Sequence, residues 1–197
     1  MNSGSRGPWQ VGASRTVYEN PWLSLTEHDV TRPDGEPGLY GVVEFSNLAI
    51  AVLPLFEDGT TVLVGQHRFP QDKYSWEIPE GGGPLDVPPL DSARRELKEE
   101  TGLEAAQWRE ILRMDLSNSV TNEEAIGFIA TGLTQGEAEP EGSEVLQTRR
   151  VAFRTALHEA VSGRITDALT VAMLLRAYYM ALEGELDETL AAAMLQR

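Results

Sequence analysis

The chain has 197 residues, 41% of them hydrophobic, enough to build a substantial core. Its formal charge of −15 argues against non-specific binding to nucleic acid or to an anionic membrane surface. It has no cysteine, which excludes a disulfide framework, a thiolate zinc site and a cysteine nucleophile. No apolar run reaches the roughly 18 residues of a spanning helix. The opening residues, MNSGSRGPWQ, lack the basic-then-apolar layout of a signal peptide. A cytoplasmic location is the expectation.

Residues 1–13 are polar and contain glycine, and are expected to fray or to drape on a partner. Residues 15–30 are rich in strand formers, interrupted at Asn20-Pro21, and residues 39–45 (LYGVVEF) resume extended structure after a turn cluster at 32–38. Residues 48–56 (LAIAVLPLF) form a nearly continuous apolar run, as in a strand buried on both faces. A hairpin turn at 57–60 leads into 61–65, and residues 74–79 (YSWEIP) lead into a glycine-rich turn. Further strands are predicted at 108–116, 124–130 and 145–153. Amphipathic helices follow at 154–162 and 166–182, and a last one at 187–195. The order predicts an α/β fold, an α/β/α sandwich of mixed sheet and helices preceded by a small N-terminal antiparallel strand subdomain.

Between the glycine turn and the next strand lies a short helix with three glutamates at one spacing. Glu96, Glu99 and Glu100 stand at i, i+3 and i+4 and share a face. Leu90, Ala93 and Leu97 form an adjoining stripe that faces the core. Two like charges about 6 Å apart repel by roughly 3 kcal/mol at an effective dielectric near 20. Each glutamate alone would pass for a surface ion-pair member, but the joint spacing calls for a cation. Arg95 and Lys98 can share that task, while carboxylates at this density suit a hard ion such as Mg²⁺ or Mn²⁺. Gly102 is placed as a left-handed C-terminal cap, whereas Pro88-Pro89 replaces the usual Asp or Ser cap at the start. His28, His67 and His158 form no ligand spacing and read as solvated or hydrogen-bonded. The chain shows no G-x-S-x-G elbow and no P-loop.

Residues 81–103 resemble the Nudix box, G-x5-E-x7-R-E-U-x-E-E-x-G-U, where U is a bulky aliphatic residue. Gly81 opens it, Arg95-Glu96-Leu97 continues it, and Glu99-Glu100-Thr101-Gly102-Leu103 closes it. One fixed position departs: Val87 stands where the pattern has its first glutamate, with Asp86 just before it. The resemblance, to the ADP-ribose and nucleoside-diphosphate-sugar branch, implies an N-terminal strand region at 1–46 with homodimer contacts. A hydrolase domain at 47–197 then follows. It implies metal binding at Glu96, Glu99, Glu100 and the Gly81 carbonyl, with Glu99 also able to take a proton. It also implies an acidic loop before the last strand that supplies a general base or metal contact, with Glu144 and then Glu141 as candidates.

The same resemblance places Arg68 near substrate phosphates; a structural ion pair with Glu77 or Glu80 is the other reading. Trp76 reads either as a stacking partner for a base or as core, and Glu77 as a holder of the loop or of a ribose hydroxyl. Residues 117–121 and Glu123 correspond to the loop that shapes the pocket. Ser119 falls about where ADP-ribose hydrolases carry a proline. The implied reaction is divalent-metal-dependent hydrolysis of a nucleoside diphosphate sugar, ADP-ribose first, giving AMP and ribose 5-phosphate. The alternatives are another nucleotide sugar such as GDP-mannose, a nucleoside triphosphate or dinucleoside polyphosphate, or a weakly catalytic sensor of ADP-ribose.

Overall fold

The computed structural model describes residues 4–138 and 145–196, so Glu141 and Glu144 lie outside the described residues. The chain forms two units, Met1–Leu48 with Asp115–Glu124, and Ala49–Met114 with Ala125–Arg197.

In the first unit, β1 (Gly4–Arg6), β2 (Trp9–Glu19), β3 (Leu23–Thr31) and β4 (Pro37–Phe45) pair in chain order as an antiparallel sheet. This corrects the expectation of a frayed start. Most of β2 is solvent-exposed, so its sequence carries no apolar alternation, and backbone pairing to β3 holds it. The break at 20–21 is a side-chain turn, with Asn20 Oδ1 accepting the N–H groups of Trp22 and Leu23. Residues 115–124 return to β4: the Val43 N–H donates to the Val120 carbonyl at 2.8 Å and the Phe45 N–H to Asn122 Oδ1 at 2.7 Å. His28 departs from expectation, because it is buried and neither ring nitrogen has a hydrogen-bond partner. It lines a cavity of about 450 Å³ beside Trp9 and Tyr40, whose rings meet edge to face at 5.3 Å.

The second unit is built on the apolar run. β5 (Asn47–Pro54) carries Ile50, Ala51, Val52 and Leu53, all fully buried, and pairs in parallel with β10 (Glu124–Gln135). The strands β8 (Glu80–Pro84) and β9 (Leu103–Asp115) complete a four-stranded sheet in the order β8-β5-β10-β9. An antiparallel sheet, β11-β6-β7, is formed by β11 (Gln147–Ala152), β6 (Thr60–Arg68) and β7 (Lys73–Glu77). Helix α1 (Pro89–Thr101) packs on β8 and β6, and α2 (Phe153–Val161) on β11 and β6. The remaining helices are α3 (Ala168–Leu182) and α4 (Glu188–Leu195). The arrangement is the expected α/β/α sandwich of mixed sheet and helices with an N-terminal antiparallel sheet. No helix of the described residues is long and apolar enough to cross a membrane.

Two local features differ from expectation. The glycine-rich stretch is a strand rather than a turn, because its glycines let neighbours approach the backbone. A Cβ on Gly83 would lie 2.7 Å from Ile50 Cγ1. The last strand ends earlier than predicted, since Phe153 begins α2 and is fully buried. Asp167 and Asp187 cap α3 and α4, each accepting a backbone N–H of the first turn.

Candidate active site

Helix α1 begins without a side-chain cap, with Pro88 and Pro89 setting its first backbone angles, and ends at Gly102 with φ 70°. Ala93 and Leu97 are fully buried, which turns the adjoining carboxylates inward. Complete burial of a leucine side chain is worth about 1.5–3 kcal/mol, enough to fix the rotation of a four-turn helix. Glu96 and Glu100 are themselves buried, and the Glu99 side chain is about a quarter exposed. Arg95 bridges the group: it donates to Glu99 at 2.7 Å, to Glu96 at 2.6 Å and to the Gly82 carbonyl at 2.7 Å. Burial opposes its charge, but Glu96 and then Glu99 outweigh that and raise the guanidinium pKa.

Gly81 lies directly against this face. A Cβ there would stand 2.3 Å from the Glu96 carboxyl carbon, so only a glycine backbone fits beside the carboxylate. One residue earlier, the Glu80 N–H donates to Glu100 Oε2 at 3.1 Å. The structure therefore brings Gly81, Glu96, Glu99 and Glu100 to one edge of β8 and α1.

A second acidic group adjoins it. Ligand atoms of Glu77, Glu80 and Asp167 lie within 4.8 Å of one another. Arg68 donates Nε to both Glu77 oxygens, at 3.0 and 3.1 Å, and Nη2 to Glu80 Oε1 at 2.9 Å. Burial works against the Arg68 charge, but the bonds and charges of Glu77, with Glu80 and Asp167, outweigh it and raise its pKa. Burial first, then the charges of Asp167 and Glu77, push the Glu80 carboxyl well above the usual carboxylate range. Its Oε2 is sealed from solvent and has no hydrogen-bond partner. Of the two readings of Arg68, the ion pair is present, with both Glu77 and Glu80, and the side chain is still about one-third exposed.

Trp76 stands apart from Glu77. Successive strand residues face opposite sides, and Trp76 shares its side with Tyr74, ring centroids 5.6 Å apart. The Arg149 guanidinium covers the indole at 4.2 Å from the centroid. One face of the indole is thus occupied by a cation. Ser119 belongs to the first unit, where its carbonyl accepts the Tyr40 hydroxyl at 2.6 Å. Asp167 was missed by sequence reasoning; its signal was the Asp-x-x-Thr capping pattern before α3. Glu80 is legible in the sequence only as an ion-pair partner of Arg68.

A divalent cation fits the donor set on two observations. The donors are carboxylate oxygens, which suit hard ions; and the Gly81 backbone forms a cradle that a Cβ would fill.

Residues 46–169 match the family profile described as NUDIX domain, and residues 9–43 match the nucleoside diphosphate sugar hydrolase N-terminal domain. The chain belongs to the Nudix family and is a Nudix pyrophosphohydrolase. It is 29% identical over 171 residues to an ADP-ribose pyrophosphatase of Mycobacterium tuberculosis, covering 84% of this chain and 81% of that one. It is 28% identical over 160 residues to an ADP-ribose pyrophosphatase of Bacillus subtilis, covering 80% and 86%. Its fold matches a crystal structure of an ADP compounds hydrolase with a TM-score of 0.81 at 18% identity, over 93% of this chain and all of that one.

Proposed function

We propose that this hydrolase cleaves the pyrophosphate bridge of a nucleoside diphosphate sugar, ADP-ribose foremost, to AMP and ribose 5-phosphate. The observation that carries it is the row Glu96, Glu99 and Glu100 against the bare backbone of Gly81. The substrate choice draws on the ADP-ribose pyrophosphatases to which the chain is similar. Glu96, Glu99, Glu100 and the Gly81 carbonyl would hold Mg²⁺ or Mn²⁺. When bound, such an ion supplies charge neutralisation of the phosphate oxygens and acidifies water.

The chain's own groups do the rest. Arg95 keeps Glu96 and Glu99 oriented when no substrate is present. Arg68 offers planar donors to a phosphate oxygen. Glu77 holds Arg68, and Ser119 belongs to the loop assigned to the substrate pocket. A proton leaves the attacking water for Glu99, Glu144 or Glu141. The water oxygen bonds to phosphorus, the bridging P–O bond breaks, and the bridging oxygen departs with the other phosphate. The reading also carries a homodimer joined through the N-terminal strands, on the strength of the family resemblance, and the cytoplasm as its expected site of action.

Incubating the protein with Mg²⁺ or Mn²⁺ and a panel of nucleotide sugars and triphosphates tests this. The expected result is preferential cleavage of ADP-ribose, abolished by a chelator. Stronger cleavage of GDP-mannose or a triphosphate would replace the substrate. No turnover, with ADP-ribose still raising the melting temperature, would favour the sensor reading that Val87 alone suggests.

A further inference from the structure

Glu80 touches both halves of the site. Its backbone N–H holds Glu100 at 3.1 Å, and its carboxylate holds Arg68 Nη2 at 2.9 Å. The backbone around it is pinned: the Ile78 N–H donates to Thr170 Oγ1 at 3.0 Å, and the Pro79 carbonyl accepts the Val52 N–H at 2.8 Å. Glu77 engages both Nε and Nη2 of Arg68 from the end of β7, and Glu80 engages Nη2 a second time from the start of β8. The fork with Glu77 fixes the guanidinium plane, and the Glu80 contact ties that plane to β8, so that the guanidinium keeps register with the strand that holds Glu100. Among the described residues, Nη1 makes no hydrogen bond. One N–H-bearing end of a fixed fork is left for a ligand.

We propose that Glu80 is a positioning residue: it sets Arg68 so that Nη1 meets a phosphate oxygen of the substrate while Glu100, on the Glu80 backbone, keeps register with it. The inference rests on the proposed function, because it takes the Arg68 ligand to be the diphosphate of a nucleotide sugar. Asp167, held at the N-terminus of α3 by the Thr170 N–H at 2.7 Å, adds a third carboxylate to the setting. The rival role for this cluster is that of a cation site, and the two roles differ in what they do to substrate and metal.

The test measures kcat and KM for ADP-ribose at saturating Mg²⁺, together with Mn²⁺ bound per chain by equilibrium dialysis. In Glu80→Ala the KM is expected to rise about tenfold with kcat within about threefold, and the number of Mn²⁺ ions bound to stay that of the wild type. Glu80→Gln keeps an acceptor oxygen for Nη2 and should return KM to within about twofold of wild type. In an Arg68→Ala background, Glu80→Ala should add nothing, because the two act through one contact. Should the alanine variant fail to fold, Glu80→Asp serves in its place, since withdrawing the oxygens by one methylene also removes the β8 contact from Nη2. A fall in kcat at constant KM, loss of a bound Mn²⁺, or a full effect persisting without Arg68 would each overturn the proposal. So would an Arg68→Ala variant with unchanged KM. A wild type inactive on every nucleotide sugar would sink the proposed function instead. The positioning role would then be read from calorimetric ADP-ribose affinity in the same variants, where equal affinity in wild type and Glu80→Ala would end it.

Discussion

Glu100 shows how much the site asks of one side chain. Its carboxylate is buried yet bonded to the Glu80 backbone, so its oxygens are aimed before any ligand arrives. Glu100→Gln keeps shape and acceptor but loses the charge. The expected outcome is a loss of about a thousandfold in kcat with an unchanged circular-dichroism spectrum; near-normal turnover would remove the metal-binding assignment. Glu123 makes a pH prediction. Burial pushes its carboxyl above the ordinary 4.5, so in the native state it holds its proton to higher pH than in the unfolded chain. Its contribution to stability is therefore complete below about pH 4.5 and is lost as pH rises through the folded value. Glu123→Gln should melt with the wild type near pH 4 and above it near pH 7.5, and a gap that narrows on raising the pH would show the opposite sign. At this scale the glutamates of α1 were legible because one helix fixes their spacing. Asp167 was not, because only the folded chain brings α3 to Glu77 and Glu80. The Arg149 contact on Trp76 was not legible for the same reason, since Arg149 comes from a distant strand.

Two glycines separate stability from function among the elements. At Gly81 the atoms nearest an added methyl are those of the Glu96 carboxylate, the far end of a side chain that would have to move to admit it. Gly81→Ala should fold with little change in melting temperature but bind Mn²⁺ about tenfold more weakly, measured by titration. Loss of folding would mean that β8 itself cannot move. Gly59 is the reverse case. It sits at φ 75° in the turn between β5 and β6, and a Cβ there would lie 2.4 Å from the Ala193 carbonyl oxygen of α4. Gly59→Ala should cost about 1–3 kcal/mol in urea unfolding, and an unchanged midpoint would contradict this packing. Elements with a clear period were read closely, among them β5, α1 and α3. The edges failed where chemistry is local: β8 hid behind its glycines, and β2 behind an exposed, polar face that looks like loop.

At the scale of the molecule, the proposed homodimer predicts sedimentation at twice the 21.7 kDa chain mass. A single-chain mass at micromolar concentration would release the N-terminal strands from that role. The fold class was readable because strand and helix patterns follow one another distinctly along the chain. The closing of the first unit by residues 115–124 was not, since that pairing is set by backbone bonds from Val43 and Phe45 rather than by any sequence period.

That closure has a consequence for the chain as it is made. The first 48 residues leave the ribosome without the segment that completes their unit, and roughly 65 more must follow before it begins to appear. At about 5–20 residues per second, the wait is on the order of 3–13 s. For that interval the β4 edge stands open to any passing strand, and the N-terminal sheet depends on the timing of translation.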